Sequence, residues 1–332
     1  MEQKTTHHPG PDAEKHTVIT HSAKPPAHPS ASATTYTLIT EPDQGLSAIY
    51  ALLSSAKKTI DMTMYELTDA TVIDSLAKSA AAGVKVRVIL DQNSEKTSNT
   101  PAYNSLAAKK VSVHWANPAY AVTHQKTITI DSATSAIMTL NLTPEYYSTS
   151  RDFAVITNDA ADVAAIEATF NADFTNAAIT PPTGDNLVWS PTNSRAAITA
   201  LIAGATKTLM LSQEEFSDPG MVSAIQAALK SGVTVAMVQE NINSDYASEL
   251  TTLKNAGAKI VVYTSSKGHY IHAKTVLADY GTAKAKLFLG SENISTDSLD
   301  KNRELGLIFS DLASMAAVHT AITADFKAGT AF

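Results

Sequence analysis

The feature that most constrains this chain is a short signature that occurs twice. Each copy has a His, a Lys two residues later and an Asp five residues after the Lys: His124, Lys126 and Asp131, then His272, Lys274 and Asp279. One such match would arise by chance in roughly a few of every hundred chains of this composition, so a single copy would be a weak motif. Two copies in one chain indicate a duplicated unit.

The residues that follow each signature are also repeated. A hydroxyl residue stands two places before an Asn, and an acid stands eleven residues after it: Thr139, Asn141 and Asp152, then Ser291, Asn293 and Glu304. Equivalent positions are separated by 148 to 152 residues throughout. Solenoid units are only about 20 to 50 residues long, so a repeat of this length predicts two duplicated domains.

The hydropathy pattern indicates the fold of each domain. Short runs rich in Val and Ile alternate with Ala-rich stretches of helical period, which is typical of α/β proteins. We predict two similar domains, each a mainly mixed β-sheet flanked by helices and related by a pseudo-twofold axis. The predicted domains are residues 36–180 and 187–332, joined at Pro181–Gly184. Strands of the first are predicted at 59–64, 84–90, 111–115, 126–130, 135–140 and 153–157.

Residues 1–35 have a different composition. They contain five of the ten His, many Pro, Ser and Thr, and almost no large apolar residues. Such a segment cannot bury enough apolar surface to fold alone, so we predict a disordered tail. Because the His spacing is irregular and the chain has no Cys, a solvated tether is favoured over a metal site.

Composition also bears on the compartment and on partners. No apolar run approaches the ~20 residues that span a bilayer, and the N-terminus lacks the apolar core of a signal peptide. We therefore expect a soluble protein. The charged fraction of 17% and the Pro-rich leader favour a mature secreted or periplasmic protein. The net charge of −7, without any long basic run, argues against a strong nucleic-acid binder.

The repeated residues suit chemistry at a phosphodiester. Its displacement spreads negative charge over oxygen atoms, so a site needs fixed cations and amide donors, and these are Lys126, Lys274, Asn141 and Asn293. Two imidazoles can supply an attacking group and a proton donor near neutral pH. Attack by one His gives a covalent phosphohistidine that water or an alcohol resolves, without a metal. Because each half has one His and one Lys, the halves must meet face to face at a shared site.

Strand geometry separates the roles of the signature residues. Side chains alternate along a strand, so His124 and Lys126 project from one face. Asp131 lies at an odd offset from Lys126 and points elsewhere, so Asp131 and its counterpart Asp279 are predicted to be structural.

Acids and hydroxyls complete the predicted site. Each His needs an acceptor that orients its second ring nitrogen, and Asp152 and Glu304 are the candidates; the alternative is that both are surface acids before a strand. Thr139 and Ser291 are predicted substrate contacts.

Two interpretations are possible for several residues near the expected sheet edges. Glu66 and Glu215, after the first strand of each half, either line the cleft or are solvated loop acids. The loops 115–120 and 267–270 carry aromatic residues that suit a lipid interface or base stacking.

The two signatures, the segment Gly290–Asn293 and the late acid resemble the phospholipase D superfamily over nearly all of residues 36–332. This resemblance implies two α/β halves that share one active site with a phosphohistidine intermediate and no cofactor. It also implies that His124 is the nucleophile and His272 the acid. The first copy departs from the family pattern with Met138 in place of Gly, which predicts a looser hold on phosphate because Gly alone adopts every backbone conformation without strain, and with Asp152 in place of Glu.

Members of that superfamily include lipases, phosphatidyl transferases and nucleases. We favour a phosphoric diester hydrolase that hydrolyses or transphosphatidylates phospholipids. An endonuclease acting on DNA or RNA and an inactive phosphate-binding scaffold are the alternatives. A cardiolipin-synthase-like transfer ranks lower, since such enzymes usually carry membrane helices. A phospholipid or other phosphodiester is the expected partner, nucleic acid is the alternative one, peripheral membrane contact is compatible with the sequence, and a monomer is expected.

Overall fold

The computed structural model describes residues 33–264 and 268–332. The predicted disordered tail therefore lies outside the described residues except for its last three positions. Residues 34–332 form one compact unit that contains two similar β-sheets. Among the described residues, no helix combines the length and apolarity that a bilayer crossing requires.

The first sheet is mixed. Its chain order gives β1 (Tyr36–Glu41), β2 (Thr59–Met64), β3 (Lys85–Leu90), β4 (Ser112–Trp115), β5 (Thr127–Ile130), β6 (Thr134–Met138) and β7 (Ser150–Thr157). The helices are α1 (Ser47–Ser55), α2 (Ala70–Ala81), α3 (Lys96–Ala108) and α4 (Ala160–Phe174). The spatial order is β1-β7-β6-β5-β2-β3-β4, in which β2, β3 and β4 run parallel and the other pairs are antiparallel.

The second sheet repeats this arrangement. Its strands are β8 (Leu187–Ser190), β9 (Thr208–Gln213), β10 (Thr234–Glu240), β11 (Lys259–Tyr263), β13 (Lys274–Ala278), β14 (Lys286–Gly290), β15 (Glu304–Phe309) and β16 (Thr330–Ala331), in the spatial order β16-β11-β10-β9-β13-β14-β15-β8. Its helices are α5 (Ser194–Gly204), α6 (Pro219–Lys230), α7 (Ala247–Asn255), α8 (Thr296–Asp300) and α9 (Leu312–Ala328). The short β12 (Tyr270–Ile271) instead pairs with β7 of the first sheet. The predicted fold class is confirmed.

Equivalent helices in the two sheets begin at equivalent caps. The Asp69 carboxylate accepts a hydrogen bond of 2.7 Å from the amide of Thr71 at the start of α2. Asp218 accepts one of 3.0 Å from the amide of Met221 at the start of α6. A cap of this kind contributes about 1 kcal/mol because it satisfies an amide that the helix leaves unpaired.

Among the described residues, three large apolar cores hold the unit together, beside a small fourth cluster of Ile89, Ala116 and Phe170. One belongs to the first half and one to the second. The third is shared, since Phe153 and Val155 of β7 pack in one cluster with Trp189, Leu289 and Leu305. This shared core fixes the two sheets against each other. We propose residues 36–180 and 187–332 as the two halves, because α4 ends the first and β8 begins the second.

Candidate active site

The signature aspartates anchor the start of the first central strand in each half. Asp131 accepts hydrogen bonds from the amides of residues 57–59, and Asp279 accepts them from residues 206–208, at 2.6 to 3.1 Å. Both aspartates adopt positive φ angles, 55° and 53°. Burial alone would raise the pKa of each carboxyl, but the amide hydrogen bonds outweigh it and lower the pKa. This geometry supports the structural role that the sequence predicts.

His124 is oriented by groups of the other half. Its amide donates to the Arg303 carbonyl at 2.9 Å. Its Nδ1 lies 2.9 Å from Glu304 Oε2 and 3.1 Å from the Ser291 carbonyl oxygen. Both neighbours accept hydrogen bonds, so we assign the ring proton to Nδ1, which leaves Nε2 with a free lone pair.

His272 shows the reciprocal arrangement. Its amide donates to the Arg151 carbonyl at 3.2 Å, and its Nδ1 lies 2.8 Å from Asp152 Oδ1. Each histidine therefore has an acid from the opposite half behind its ring. The sequence predicted orienting acids but not this exchange between the halves.

Buried ion pairs hold the two acid-bearing segments across the interface. Arg151, just before Asp152, pairs with Asp325 of α9 at 2.7 and 3.1 Å. Arg303, just before Glu304, pairs with Asp173 of α4 at 3.0 Å. Loss of one partner would leave a buried charge unpaired, which costs about 3–5 kcal/mol.

The hydroxyls predicted to contact substrate lie behind the acids instead. Thr139 and Ser291 are 0% exposed. Their hydroxyl oxygens accept from the amides of Phe153 at 2.9 Å and Leu305 at 3.1 Å, the residues that follow the two acids. Thr139 also donates to Asp152 Oδ1 at 2.5 Å. With no surface in the cavity, these hydroxyls position the acids.

The two signature lysines are fully buried. Each Nζ donates to the carbonyl of its own signature histidine, at 2.7 Å for Lys126 and 2.5 Å for Lys274. Lys126 Nζ also lies 4.8 Å from the centre of the Tyr65 ring. Burial and the charge of Lys274 lower the pKa of Lys126 to about 7. The charges of Glu304, Glu214 and Asp152 therefore compensate this ammonium only in part.

One cavity of about 710 Å³ brings the candidate residues together. It contains both histidines and both asparagines: His124, His272, Asn141 and Asn293. Oδ1 of each asparagine is buried without a hydrogen-bond partner. The remaining lining includes the apolar and aromatic Leu140, Tyr65, Tyr146, Tyr147, Ile242 and Tyr270, and the acids Glu41, Glu66, Glu214 and Glu215. Of the two interpretations left open for Glu66 and Glu215, the structure shows the cleft position.

Two cavity residues were missed by the sequence analysis. Tyr65 packs edge-on against His124, with 4.6 Å between ring centres. Glu214 Oε2 lies 2.7 Å from Lys274 Nζ. Both residues directly follow an equivalent strand, β2 or β9, so alignment of the repeats at the strand ends would have identified them.

The aromatic loops are only partly as expected. Trp115 stacks on Tyr103 with 4.4 Å between ring centres, and the Tyr120 ring lies 4.4 Å from the Arg303 guanidinium carbon. Both are engaged in structural contacts. Tyr270 lines the cavity, while Lys267 of the same loop lies outside the described residues.

The prediction that a Gly at this position serves through its backbone freedom, made where Met138 replaces it in the first copy, is wrong for Gly290. Its φ is not positive, so backbone freedom is not what it provides. A Cβ at this position would collide with Gly306 on the neighbouring strand and with the side chain of Glu292. The equivalent Met138 pairs with Ala154 and is buried in the first core.

Comparison with known proteins agrees with this geometry. The solved structures that match the fold include a polyphosphate kinase from Porphyromonas gingivalis (TM-score 0.71, 15% identity, 88% of this chain) and a phosphatidylserine synthase from Haemophilus influenzae (TM-score 0.69, 14% identity, 90% of this chain). This chain spans 47% of the kinase and 87% of the synthase. At these identities the likeness shows the fold alone.

Sequence comparison goes further. Cardiolipin synthase 1 of Bacillus anthracis is 23% identical over 358 residues, which cover 91% of this chain and 68% of that protein. The family model described as cardiolipin synthase, PLD-like domain, matches residues 49–174 and again residues 198–327. The two matches fall on the two halves and together cover most of the chain, which confirms the resemblance to the phospholipase D superfamily: the chain belongs to the phospholipase D-like domain family.

Proposed function

We propose that this protein cleaves the phosphodiester bond of a phospholipid through a phosphohistidine, with His124 as the nucleophile and His272 as the general acid. The observation that carries the proposal is the pair of crossed histidine–acid contacts, His124 with Glu304 and His272 with Asp152, at one cavity. The flanking lysines and asparagines supply positive charge and amide donors for the phosphoryl oxygens.

The environment of His124 suits it to act as the nucleophile. Burial and the charge of Lys126 lower the pKa of His124, although Glu304 opposes them. The ring is therefore neutral near neutral pH, and its Nε2 can attack phosphorus. Glu304 then stabilises the positive charge that the ring acquires in the attack.

The environment of His272 suits it to act as the proton donor. Its Nδ1 contacts Asp152 at 2.8 Å, and its Nε2 lies 3.7 Å from Glu214 Oε2. An imidazole between two carboxylates is well suited to carry a proton and to deliver it to a leaving oxygen.

The reaction follows in two steps. His124 Nε2 forms a bond to phosphorus while the bond from phosphorus to the leaving alcohol oxygen breaks, and His272 protonates that oxygen. Water or a second alcohol then loses its proton to His272 and attacks phosphorus, which breaks the P–N bond and restores both rings. Lys126 and Lys274 stabilise the charge on the phosphoryl oxygens in both steps, so the proposed reaction requires no metal or other cofactor.

The cavity lining favours a lipid over a polynucleotide. Tyr146 and Ile242, which are 46% and 42% exposed, line it together with Leu140 and Tyr147. These side chains suit the glycerol backbone and acyl chains of a lipid presented at a membrane surface. The net charge of −7 and the cavity carboxylates oppose a polynucleotide backbone. We propose that the protein works as a monomer in peripheral contact with lipid.

Water and alcohol both have to be considered as acceptors. The sequence ranked a cardiolipin-synthase-like transfer low, but the family model and the Bacillus anthracis relative both carry the cardiolipin synthase description. We therefore propose that transfer to an alcohol competes with hydrolysis at the same phosphohistidine.

A side-by-side assay tests this function. The protein is incubated in excess chelator with vesicles of phosphatidylcholine or phosphatidylglycerol, with and without ethanol, and with single-stranded and duplex DNA. We expect release of the head group, phosphatidylethanol when ethanol is present, and activity that chelator does not change. His124→Ala is the inactive control. Cleavage of DNA without turnover of lipid would indicate a nuclease. No turnover of any of these substrates would indicate a phosphate-binding scaffold.

A further inference from the structure

The two halves differ at one equivalent position inside the cavity. The residue after β2 is Tyr65, and the residue after the equivalent β9 is Glu214. Tyr65 presents an aromatic ring to His124 and Lys126. Glu214 presents a carboxylate to His272 and Lys274.

The Glu214 carboxylate occupies a set of donors that suits a phosphoryl oxygen. Its Oε2 accepts from Lys274 Nζ at 2.7 Å and from Asn293 Nδ2 at 3.2 Å. The same oxygen lies 3.7 Å from His272 Nε2. Tyr270 fixes the other oxygen, since its hydroxyl donates to Oε1 at 2.5 Å. One carboxylate oxygen thus meets an ammonium, an amide and an imidazole, the three groups that the repeated signature provides in each half.

The donors of the first half are not filled in this way. Lys126 Nζ lies over the Tyr65 ring and donates to the carbonyl of His124. Asn141 lines the cavity, and the residue equivalent to Glu214 in this half, Tyr65, has no carboxylate that could accept from its amide nitrogen. The resting site is therefore asymmetric: a carboxylate contacts the lysine and asparagine of the second half, whereas an aromatic ring lies against the lysine of the first.

Glu214 is charged in this environment. Burial by itself would raise the pKa of its carboxyl, but the charges of His272 and Lys274 outweigh burial and hold the pKa well below its usual range. A fixed negative charge at this point repels a second anion, and it repels a dianion more strongly than a monoanion.

We propose that Glu214 is a specificity-determining residue that occupies the phosphoryl-binding donors of the second half and thereby selects monoanionic phosphodiesters over dianionic phosphomonoesters. The inference rests on the proposed function only in taking the signature donors as phosphoryl-binding. A phosphodiester displaces Oε2 from Lys274 and Asn293 as it enters. A phosphomonoester, such as a hydrolysis product, carries up to two charges because its second pKa is about 6, and Glu214 expels it.

Binding of two small phosphates tests this without turnover. Methyl phosphate and dimethyl phosphate are titrated at pH 8 and low ionic strength into the wild type and Glu214→Gln, followed by ³¹P NMR. Gln keeps the size of the side chain and removes its charge. We expect methyl phosphate to bind the variant at least about tenfold more tightly, with a smaller gain for dimethyl phosphate.

The matched controls are Glu66→Gln and Glu215→Gln, which remove other carboxylates from the same cavity. We expect them to change methyl phosphate affinity by less than about threefold, because charges without direct contact are better screened. An equal gain in the controls would reduce the effect to general cavity charge and overturn the proposal. Unchanged or weaker binding to Glu214→Gln would also overturn it, since Glu214 would then only hold Lys274 in place.

A second variant keeps the test decisive if thermal melting shows that Glu214→Gln does not fold. Tyr65→Glu places a carboxylate at the equivalent position of the first half. We expect this variant to bind methyl phosphate more weakly than the wild type does, with a smaller loss of affinity for dimethyl phosphate. An equal loss of affinity for both would contradict the proposed selection. Because these titrations require no phospholipid turnover, a protein that shows the expected affinities but leaves lipids intact would refute the proposed function and leave this inference standing.

Discussion

The two halves of the cavity share their scaffold and differ in what they present to an anion. Both halves hold the first central strand with an aspartate at positive φ, Asp131 or Asp279, and both receive an orienting acid from the opposite half. The position directly after that strand differs in charge, with Tyr65 in one half and Glu214 in the other. The duplicated signature thus preserves the orientation of the imidazoles, while the neighbouring residue places an aromatic ring beside one histidine and a carboxylate beside the other.

Removal of each histidine should separate the two halves most clearly. We expect His124→Ala and His272→Ala each to lower phospholipid turnover by roughly 10³-fold or more, because both proton transfer and attack are needed. A p-nitrophenyl phosphodiester has a leaving group that needs no protonation. With it, His272→Ala should release about one equivalent of nitrophenol in a burst, and His124→Ala should release none, as followed by stopped-flow absorbance.

Both histidines are only 12% exposed at the side chain, so the melting temperature of each variant is measured first and the bursts are compared per mole of folded protein. A burst from His124→Ala but not from His272→Ala would reverse the assignment of the two halves.

Neutralisation of the crossed acids should lower turnover less than removal of the histidines, and it should again distinguish the two halves. Glu304→Gln should lower phospholipid turnover by roughly 10²-fold and slow the nitrophenol burst, since Glu304 supports the attacking ring. Asp152→Asn should lower phospholipid turnover by a similar factor and spare the burst. Glu304 Oε1 is held by Ser298 at 2.6 Å and Asn302 at 2.9 Å, so its replacement by Gln should not displace the chain. Equal effects of both variants on the burst would contradict the exchange of acids between the halves.

The smallest expected effect concerns the pH dependence. Lys126 has a pKa of about 7, so the free enzyme loses this cation as the pH rises through 7, and kcat/KM should fall on the alkaline side from there. Lys126→Arg remains charged, and its alkaline limb should move to a higher pH. Lys274→Arg keeps the charge that lowers the pKa of Lys126 and should leave the limb in place. A profile that is the same in the wild type and Lys126→Arg would show that another group controls this limb.

The repeat in the sequence was sufficient to predict the duplicated α/β fold and the meeting of the two histidines and two asparagines at one cavity. The repeat could not show that Glu304 contacts His124 of the other half, because sequence spacing does not reveal which residues meet across the interface between the halves. It also could not show that Thr139 and Ser291 are buried, since a hydroxyl suits a substrate and a neighbouring amide equally well.

Edge strands were the weak point of the fold prediction. β1 (Tyr36–Glu41) was not predicted, although all six of its residues pair with β7. Its sequence follows directly on the polar tail, and its apolar residues are too few to stand out there. The pairing partner, 111 to 121 residues later in the chain, is what makes this segment a strand.

Identification of the covalent intermediate tests the central claim most directly. His272→Ala is mixed with a p-nitrophenyl phosphodiester and quenched at alkaline pH, where a P–N bond survives, and its peptides are analysed by mass spectrometry. The account predicts one phosphoryl adduct on the peptide that contains His124 and none in His124→Ala. An adduct on His272 in the wild type, or a burst of nitrophenol without any adduct, would contradict it.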